Sequence, residues 1–229
     1  PMNSSAASDV YKRQIITIDG PSASGKGSLA KALAKELSFI LLDSGLLYRA
    51  YSYCFDHSQN HFRAAELFSN LNITSIDHEM HVFENEKDIT SILRHEGVAK
   101  SASDLSSLNE TRDNLINFQR DLASDRGLVA DGRDMGTVVF PDAGTKIFLV
   151  ADPEVRAERR FLELQNAGQE VNMRDLIDDI RLRDEADKAR EISPLIPADD
   201  SIELNSSNLT PQEVLKIVLK IYKEKTKEV

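Results

Sequence analysis

The chain has 229 residues, of which 41% are hydrophobic and 29% are charged, with one cysteine and a formal net charge of −10. This composition is typical of a folded globular protein. The single cysteine excludes an internal disulfide, and the absence of an apolar run of about 20 residues favours a cytoplasmic protein with no membrane partner. The acidic balance disfavours non-specific binding to nucleic acid, so an anionic ligand would need a local cluster of cationic groups.

Residues 1–14 form a polar leader, rich in serine and alanine, before the first predicted element. The leader has neither the apolar core of a signal peptide nor any periodicity. We expect residues 1–14 to be disordered and foreign to the native protein, and residues 15–229 to form the folded domain.

The first part of the folded domain is predicted to alternate strands with helices. A β-branched run at residues 15–18 predicts a buried strand, and residues 25–37, rich in alanine, leucine and lysine, predict a helix. A second short strand at residues 39–42 is followed by a helical pattern at residues 46–55. Strands that alternate with helices in this way are typical of a parallel sheet.

The segment between the first strand and the first helix has the spacing of a phosphate-binding loop. Its glycines let successive backbone N–H groups face an anion, and the start of the helix adds partial positive charge. Lys26 would supply a full charge, and the Ser28 hydroxyl would reach a magnesium ion. The alternative is a glycine-rich turn with a solvated lysine, but the flanking strand and helix favour an ATP site. The residues predicted to bind ATP here are Gly20, Pro21, Ser22, Ala23, Ser24, Gly25, Lys26, Gly27 and Ser28.

The middle of the chain is less regular. Residues 70–90 alternate weakly between apolar and polar and predict two or three short antiparallel strands, whereas residues 108–123 have apolar residues at helical spacing. Two more buried strands are predicted at residues 128–131 and 146–150. The first of these ends at Asp131, which is either a strand-end hydrogen-bond acceptor or an acid that holds a water molecule on magnesium.

The C-terminal part is predicted to contain three helices and one strand. Residues 152–154 combine an N-cap acid, a proline and a first-turn acid, Gly168 marks a break, and residues 171–190 continue as a highly charged helix. A last strand is predicted at residues 201–204. Thr210 begins a capping box that opens the final helix.

Three arginines lie close together in the helix that opens at residue 153. Arg156, Arg159 and Arg160 either form ion pairs with neighbouring acids or converge on triphosphate oxygens. Transfer of a phosphoryl group accumulates negative charge with little covalent chemistry, so arginines are the expected catalytic groups. We therefore predict a catalytic role for Arg159 and ATP binding for Arg156 and Arg160.

Three further segments narrow the family. They read DSGLLYR at residues 43–49, ADGRDMGTVVFPDA at residues 130–143 and RDEADKAR at residues 183–190. Together with the phosphate loop they resemble the bacterial cytidylate kinase family, the P-loop nucleoside monophosphate kinases that phosphorylate CMP and dCMP with ATP. The resemblance runs in order from about residue 15 to the end of the chain.

The resemblance implies an α/β fold, the P-loop NTPase three-layer sandwich with a five-stranded parallel core sheet. The core would comprise residues 15–58 and 123–229, with an NMP-binding insert at about residues 59–122 and a short lid at about residues 160–175. It also implies a monomer that uses Mg²⁺ with ATP, takes CMP or dCMP as its second substrate and has no nucleic-acid partner.

The resemblance also implies roles for individual residues. Those that would hold the CMP phosphate are Ser44, Arg49, Arg133 and Arg190. Those that would read the cytosine are Ser103, Arg112 and Asp134, and those around the sugar are Arg183 and Asp187. The catalytic residues would be Lys26, Arg133, Arg159 and Arg190. Ser28 would contact the metal, with Asp131 as a second candidate.

The chemistry of cytosine supports these roles independently. Its edge offers an amino donor and two acceptors, so the pocket needs an acceptor from Asp134 or Ser103 and a donor from Arg112. Uracil reverses the first two groups, and such a mismatch costs about 1–3 kcal/mol. No general base is needed, because the attacking group is already an anionic phosphate oxygen. A kinase for another monophosphate such as UMP and a non-catalytic ATP-binding switch remain as alternatives.

Overall fold

A five-stranded parallel sheet forms the centre of the structure, a computed structural model that describes residues 14–123, 126–166, 168 and 170–227. The predicted leader lies outside these residues except for Gln14. The central sheet has the order β2-β6-β1-β7-β8, and β3, β4 and β5 form a small antiparallel sheet. The strands are β1 (Ile15–Asp19), β2 (Ile40–Asp43), β3 (Asn72–Ile76), β4 (Glu79–Glu84), β5 (Lys87–Asp88), β6 (Leu128–Gly132), β7 (Thr145–Val150) and β8 (Ile202–Asn205).

Helices connect the strands and cover both faces of the central sheet. They are α1 (Lys26–Leu37), α2 (Ser44–Ser58), α3 (His61–Ser69), α4 (Thr90–Leu93), α5 (Glu96–Leu105), α6 (Asn109–Asp121), α7 (Pro153–Asn166), α8 (Met173–Lys188) and α9 (Pro211–Lys227), with a π-helical turn at Met135–Val139. The strands and helices predicted from the sequence are present, and α3, α4, α5 and the π turn are additional. Within the described part of the chain, no helix has the length and apolar character needed to cross a bilayer.

Two apolar clusters make the three layers. On one face of the sheet, Ile16 and Ile18 of β1 pack against α1 and α9, where Leu33 and Val218 are fully buried. On the other face, buried residues of α2 and the small sheet pack together with Met135 of the π turn. The predicted three-layer arrangement with a five-stranded parallel sheet is therefore confirmed.

The carboxyl ends of three neighbouring strands bring polar groups to one edge of the sheet. Asp43 of β2 is in register with Asp131 of β6, and Asp19 of β1 is in register with Gly132. Parallel strands end at the same edge, so the loop after β1, the start of α2 and the segment after β6 lie next to one another. The candidate site is at this edge.

The region between α2 and β6 is an insert on this framework. The weak alternation at residues 70–90 correctly predicts antiparallel strands, since β3 pairs with β4 and β4 with β5. Helix α3 begins with an N-cap, since the side chain of Asn60 accepts a hydrogen bond from the Arg63 N–H at 3.0 Å. An ion pair of 2.9 Å between Lys31 of α1 and Glu79 of β4 ties the insert to the core.

Candidate active site

The loop between β1 and α1 has the backbone geometry that its glycines predict. A Cβ atom on Gly20 would lie 2.1 Å from the carbonyl oxygen of Leu149, so β7 leaves no room for a side chain there. Gly25 precedes α1 in the left-handed conformation, with φ of 94°. Only glycine adopts that conformation without strain, so both positions need glycine for the loop to curl around an anion.

Lys26 is the first residue of α1 and is partly buried rather than solvated. Its Nζ donates a hydrogen bond to the carbonyl oxygen of Pro21 at 3.1 Å, which folds the side chain back over the loop. Burial lowers the pKa of Lys26, and the nearby Asp131 carboxylate opposes that shift. A phosphate anion bound in the loop would therefore compensate the ammonium group for the water that it lost on burial.

Asp131 faces the same loop from β6. Its Oδ2 would lie 3.3 Å from a Cβ atom on Gly27, and its buried Oδ1 has no hydrogen-bond partner in the part of the chain that the structure describes. Burial raises the pKa of Asp131 to about 7, against the attraction of Lys26. The exposed Ser28 lies in the first turn of α1. A hydroxyl and a carboxylate suit Mg²⁺, which prefers oxygen ligands and retains water.

This pair of oxygen donors would hold a metal only together with a ligand. No group of three or more His, Cys, Asp or Glu side chains suited to a metal ion occurs among residues 14–123, 126–166, 168 and 170–227. The unpartnered Oδ1 of Asp131 and the exposed hydroxyl of Ser28 fit a cation that arrives with a triphosphate. Asp131 is thus placed for the magnesium alternative as well as for the hydrogen-bonding one.

Arg156 contacts the phosphate loop from behind. It is 2% exposed, donates hydrogen bonds to the carbonyl oxygens of Ser22 at 3.1 Å and Ala151 at 2.9 Å, and forms a two-point ion pair with Asp184 of α8. These contacts occupy its guanidinium group. These contacts indicate that Arg156 stabilises the shape of the loop, and its contact with ATP stays a prediction.

The other two arginines of α7 lie in different surroundings. Arg159 donates hydrogen bonds to the carbonyl oxygens of Ser24 at 3.0 Å and Ser206 at 2.8 Å, so it joins the loop to the segment after β8. Arg160 donates to Glu163 at 3.0 Å, and its charge contributes to lowering the pKa of Arg49. Arg156 and Arg159 thus contact the phosphate loop, and the roles of Arg159 in catalysis and of Arg160 in ATP binding stay predictions.

A second cationic cluster surrounds a single carboxylate. Asp187 of α8 is 1% exposed and forms ion pairs with Arg133, which follows β6, and with Arg190 at 2.6 Å. Arg183 lies beside them, and its buried Nε has no hydrogen-bond partner. Burial, the charge of Arg133 and further nearby arginines together lower the pKa of Arg183 to about 10, despite the opposing charge of Asp187. Such an excess of positive charge suits a polyanionic ligand.

Arg49 of α2 extends this cluster. It donates to the carbonyl oxygen of Leu93 at 3.3 Å, and burial together with the charges of Arg94, Arg160 and Arg133 lowers its pKa. Ser44, one turn earlier, is buried, and its Oγ would lie 2.8 Å from a Cβ atom on Gly132. The structure therefore brings together residues of α2, α8 and the segment after β6, as the resemblance implies.

The residues predicted to read a base lie next to this cluster. Arg112 and Asp134 are both buried and form an ion pair, and the guanidinium of Arg112 lies 5.9 Å from the centre of the Tyr48 ring. Arg112 also donates to the carbonyl oxygen of Ser106 at 3.1 Å, and Ser106 Oγ donates to the carbonyl oxygen of Ser103 at 2.7 Å. This arrangement places a carboxylate and a guanidinium side by side above an aromatic ring.

Helices α7 and α8, whose adjoining ends lie within the predicted lid, are joined at their base. The buried Arg156–Asp184 pair connects them, and the exposed Arg181–Glu154 pair adds a contact of 2.6 Å. Gly168 has a positive φ of 75°, and among the described residues no atom would lie within 4 Å of a Cβ atom placed on it. Residues 167 and 169 of the predicted lid lie outside the described part of the chain.

Sequence reasoning missed three residues that hold these groups in place. Asp184 fixes Arg156, Ser206 accepts from Arg159, and Asp19 binds the π turn. For Asp19 the signal was present, because an acid at the end of a buried strand requires partners. For Ser206 no local pattern exists, since its contacts join segments far apart in the chain.

The chain is similar to known proteins over most of its length. The family described as cytidylate kinase matches residues 16–224. A cytidylate kinase of Pseudomonas syringae pv. tomato is 43% identical over 219 residues, covering 91% of this chain and 94% of that protein. A cytidylate kinase of Mannheimia succiniciproducens is 42% identical over 222 residues, covering 94% and 99%. Among solved structures, TT1252 from Thermus thermophilus aligns with a TM-score of 0.42 and 17% identity, over 90% of this chain and 96% of its own.

Proposed function

The chain belongs to the cytidylate kinase family, and we propose that the phosphate loop and the Asp187 arginine cluster are its ATP and CMP sites. The reaction transfers the γ-phosphoryl group of ATP to the phosphate of CMP and yields ADP and CDP. The observation that carries the assignment of sites is the pair of adjacent anion sites at one edge of the sheet. A switch that only binds ATP has no use for the second one.

Lys26 and the loop amides would bind the β- and γ-phosphates of ATP. The backbone N–H groups from Gly20 to Ser28 supply donors, and Lys26 can move from Pro21 to a phosphate oxygen. Arg156 and Arg159 act on this half by fixing the carbonyl groups of Ser22 and Ser24 on the outer side of the loop. They keep the loop in its binding shape before ATP arrives.

Magnesium is the cofactor that this donor set fits. Ser28 would contact the ion directly, and Asp131 would hold it through a water molecule. When bound, the ion neutralises charge on the phosphates during transfer. The unpartnered Oδ1 of Asp131 supports this role.

The phosphate of CMP would occupy the arginine cluster. Arg49, Arg133 and Arg190 approach from three segments, so they can surround one phosphate group and orient its oxygen toward ATP. Arg183 and Asp187 would contact the sugar, and the free Nε of Arg183 supports a ligand beside it. As the negative charge of the transition state spreads over the transferred group, the same guanidinium groups stabilise it.

Asp134 would accept a hydrogen bond from the amino group of cytosine, and Arg112 would donate to its ring acceptors. Ser103 would help to read the cytosine, whereas Ser44 would hold the phosphate of CMP. Tyr48 supports the guanidinium of Arg112 from below. Uracil would present a carbonyl oxygen to Asp134 where cytosine presents an amino donor, so two acceptors would face each other.

A coupled assay that follows ADP formation tests the activity and its substrate range. With ATP and Mg²⁺ present, we expect rapid turnover with CMP and dCMP and at least about tenfold lower kcat/KM with UMP or AMP. ADP formation that does not depend on any monophosphate would instead indicate the ATP-binding switch. Preference for UMP over CMP would contradict the role of Asp134.

Replacing Asp134 with alanine is expected to weaken base selectivity more than ATP binding. Loss of the carboxylate removes the acceptor for the amino group, so the ratio of kcat/KM for CMP to that for UMP should fall by about tenfold or more. The KM for ATP should stay within about twofold of the wild-type value. Steady-state kinetics with each nucleotide provides the measurement.

The unpaired Arg112 in that variant could also lower stability. The variant Asp134→Asn keeps the shape of the side chain and one acceptor, and it should show a smaller change in the same ratio. The exposed Asp113 of α6 provides a matched control, since Asp113→Ala should leave the ratio unchanged. An unaltered CMP/UMP ratio in Asp134→Ala counts against base reading by this residue.

The outer ends of α7 and α8 are proposed to act as a lid. The Arg156–Asp184 pair would be broken if the two helices separated at their base, so closure would move the ends near Asn166 and Met173 rather than Arg156. A closed lid excludes water that would otherwise hydrolyse ATP. Amide hydrogen exchange is expected to slow at residues 165–172 when an ATP analogue and CMP are both present. Equal exchange with and without the nucleotides would contradict the lid.

We also propose that the chain works as a monomer in the cytoplasm, with nucleotides rather than nucleic acid or membrane as partners. Every residue assigned to the two sites comes from one chain, so a second copy is not required. The net charge of −10 supports the absence of nucleic-acid binding, and the single, buried cysteine supports a reducing compartment. Light scattering of the purified protein, with and without ATP and CMP, tests the monomer.

A further inference from the structure

Asp19, the last residue of β1, is a buried carboxylate that the two sites leave without a role. It is 5% exposed and directly precedes the first glycine of the phosphate loop. Its Oδ1 accepts a hydrogen bond from the backbone N–H of Met135 at 2.8 Å, and its Oδ2 accepts one from the N–H of Gly136 at 2.8 Å. Those two residues directly follow Arg133 and Asp134, so one side chain joins the ATP loop to the CMP-binding segment.

The contact between the π turn and β1 is close and leaves little freedom. A Cβ atom on Gly136 would lie 2.9 Å from Thr17 Oγ1 and 3.3 Å from Asp19 Oδ2. Met135 and Gly136 are buried, so water cannot replace Asp19 as the acceptor for their N–H groups. The π turn is therefore held against β1 in two ways. The Asp19 side chain binds its N–H groups, and Gly136, having no side chain, lets it approach the strand.

Only a carboxylate satisfies both N–H groups at this position. An ionised aspartate offers two acceptor oxygens and no donor, whereas asparagine would direct its NH₂ group at one of the two backbone donors. Burial raises the pKa of Asp19 to about 7, with Asp134 and Asp131 adding to the rise, while the two N–H bonds lower it. Two backbone donors at this position thus require an aspartate, and another polar side chain would not replace it.

We propose that Asp19 is a positioning residue that sets the distance between the two nucleotides, a role that rests on the proposed function of the two sites. It contacts neither substrate. It fixes the position of Arg133 and Asp134 relative to the phosphate loop, so the phosphate of CMP and the γ-phosphate of ATP are held at a fixed distance from each other. In-line transfer depends on that distance, because a displacement of about 1 Å in a reacting group lowers the rate by about a hundredfold.

The variant Asp19→Asn tests this role by removing one of the two acceptors while preserving the size of the side chain. At about pH 8.5, where the wild-type carboxylate is ionised, we expect kcat to fall by about ten- to a hundredfold and the KM for CMP to rise by about fivefold. The affinity for a non-hydrolysable ATP analogue, measured without CMP, should change less than about twofold. A lower kcat with unchanged ATP binding is the result expected when CMP is misplaced relative to ATP.

A second variant approaches the same contact from the turn. Gly136→Ala is expected to push the turn away from Asp19 and to give the same combination of lower kcat and higher KM for CMP. Because both changes disrupt one contact, the double variant should be only slightly worse than either single variant. Additive losses would show that the two positions act separately and would overturn the proposal.

Thr17→Ser is the matched control on the same face of β1. It keeps the hydroxyl oxygen that takes part in the close contact with Gly136 and leaves both acceptor oxygens of Asp19 in place, so this change should leave both kcat and KM near wild-type values. Circular dichroism measures the folded fraction of each variant. If activity in Asp19→Asn only follows the folded fraction, with KM for CMP unchanged, the positioning role is wrong and the proposed function stands. A wild-type enzyme that does not phosphorylate CMP would instead refute the proposed function.

Discussion

Replacing Lys26 with alanine is expected to lower kcat by about a hundred- to a thousandfold while the fold stays intact. Removing one preorganised charge from a transferring group has an effect of this size. Among the described residues, the Nζ atom donates its hydrogen bond to the carbonyl oxygen of Pro21, so its loss removes no core packing. Asp131 loses a nearby positive charge and can take up a proton instead, because burial already raises its pKa to about 7. Steady-state kinetics and thermal denaturation measure the two effects separately.

Lys35 on the same helix provides the control for Lys26. It is exposed near the end of α1, and Lys35→Ala removes the same charge from the same element at a distance from the loop. We expect that variant to retain full activity. A Lys26→Ala enzyme with more than about a tenth of wild-type kcat would show that the loop does not bind the reacting phosphates.

The sequence predicts the core of the fold because the core is built from local patterns. Strands β1, β6 and β7 are short apolar runs, α1 and α9 have helical periodicity, and α9 begins with a capping box at Thr210. Helices α4 and α5 are short and lie in the insert, where partners on α2 rather than periodicity stabilise them. The π turn depends on Asp19, which is more than a hundred residues away in the chain. Contacts of that range are absent from any local window.

In the candidate site too, local patterns predict some residues, whereas others depend on contacts between distant segments. Lys26 and the glycines of the loop follow from spacing alone, because the strand, the loop and the helix are consecutive. The position of Arg156 does not, since its ion pair with Asp184 crosses from α7 to α8. The arginine cluster needed a resemblance to be predicted, because Arg49, Arg133 and Arg190 lie on segments that only the fold brings together.

Replacing Arg133 with alanine is expected to affect both binding and turnover of CMP. We expect kcat to fall by about a hundredfold or more and the KM for CMP to rise by about tenfold, with the KM for ATP little changed. The variant should fold, because Asp187 keeps its ion pair with Arg190 at 2.6 Å and the nearby charge of Arg183. Kinetics with each substrate varied in turn, together with thermal denaturation, provides the measurement.

Arg133→Lys separates charge from geometry at this position. A lysine restores the positive charge but lacks the planar fork that can contact a phosphate and Asp187 at the same time. We therefore expect partial recovery of the KM for CMP with kcat still at least about tenfold below wild type. Arg174→Ala, which removes an exposed arginine from the first turn of α8, should leave both parameters unchanged. Full recovery in Arg133→Lys would mean that charge alone acts here, and wild-type kinetics in Arg133→Ala would place the phosphate of CMP elsewhere.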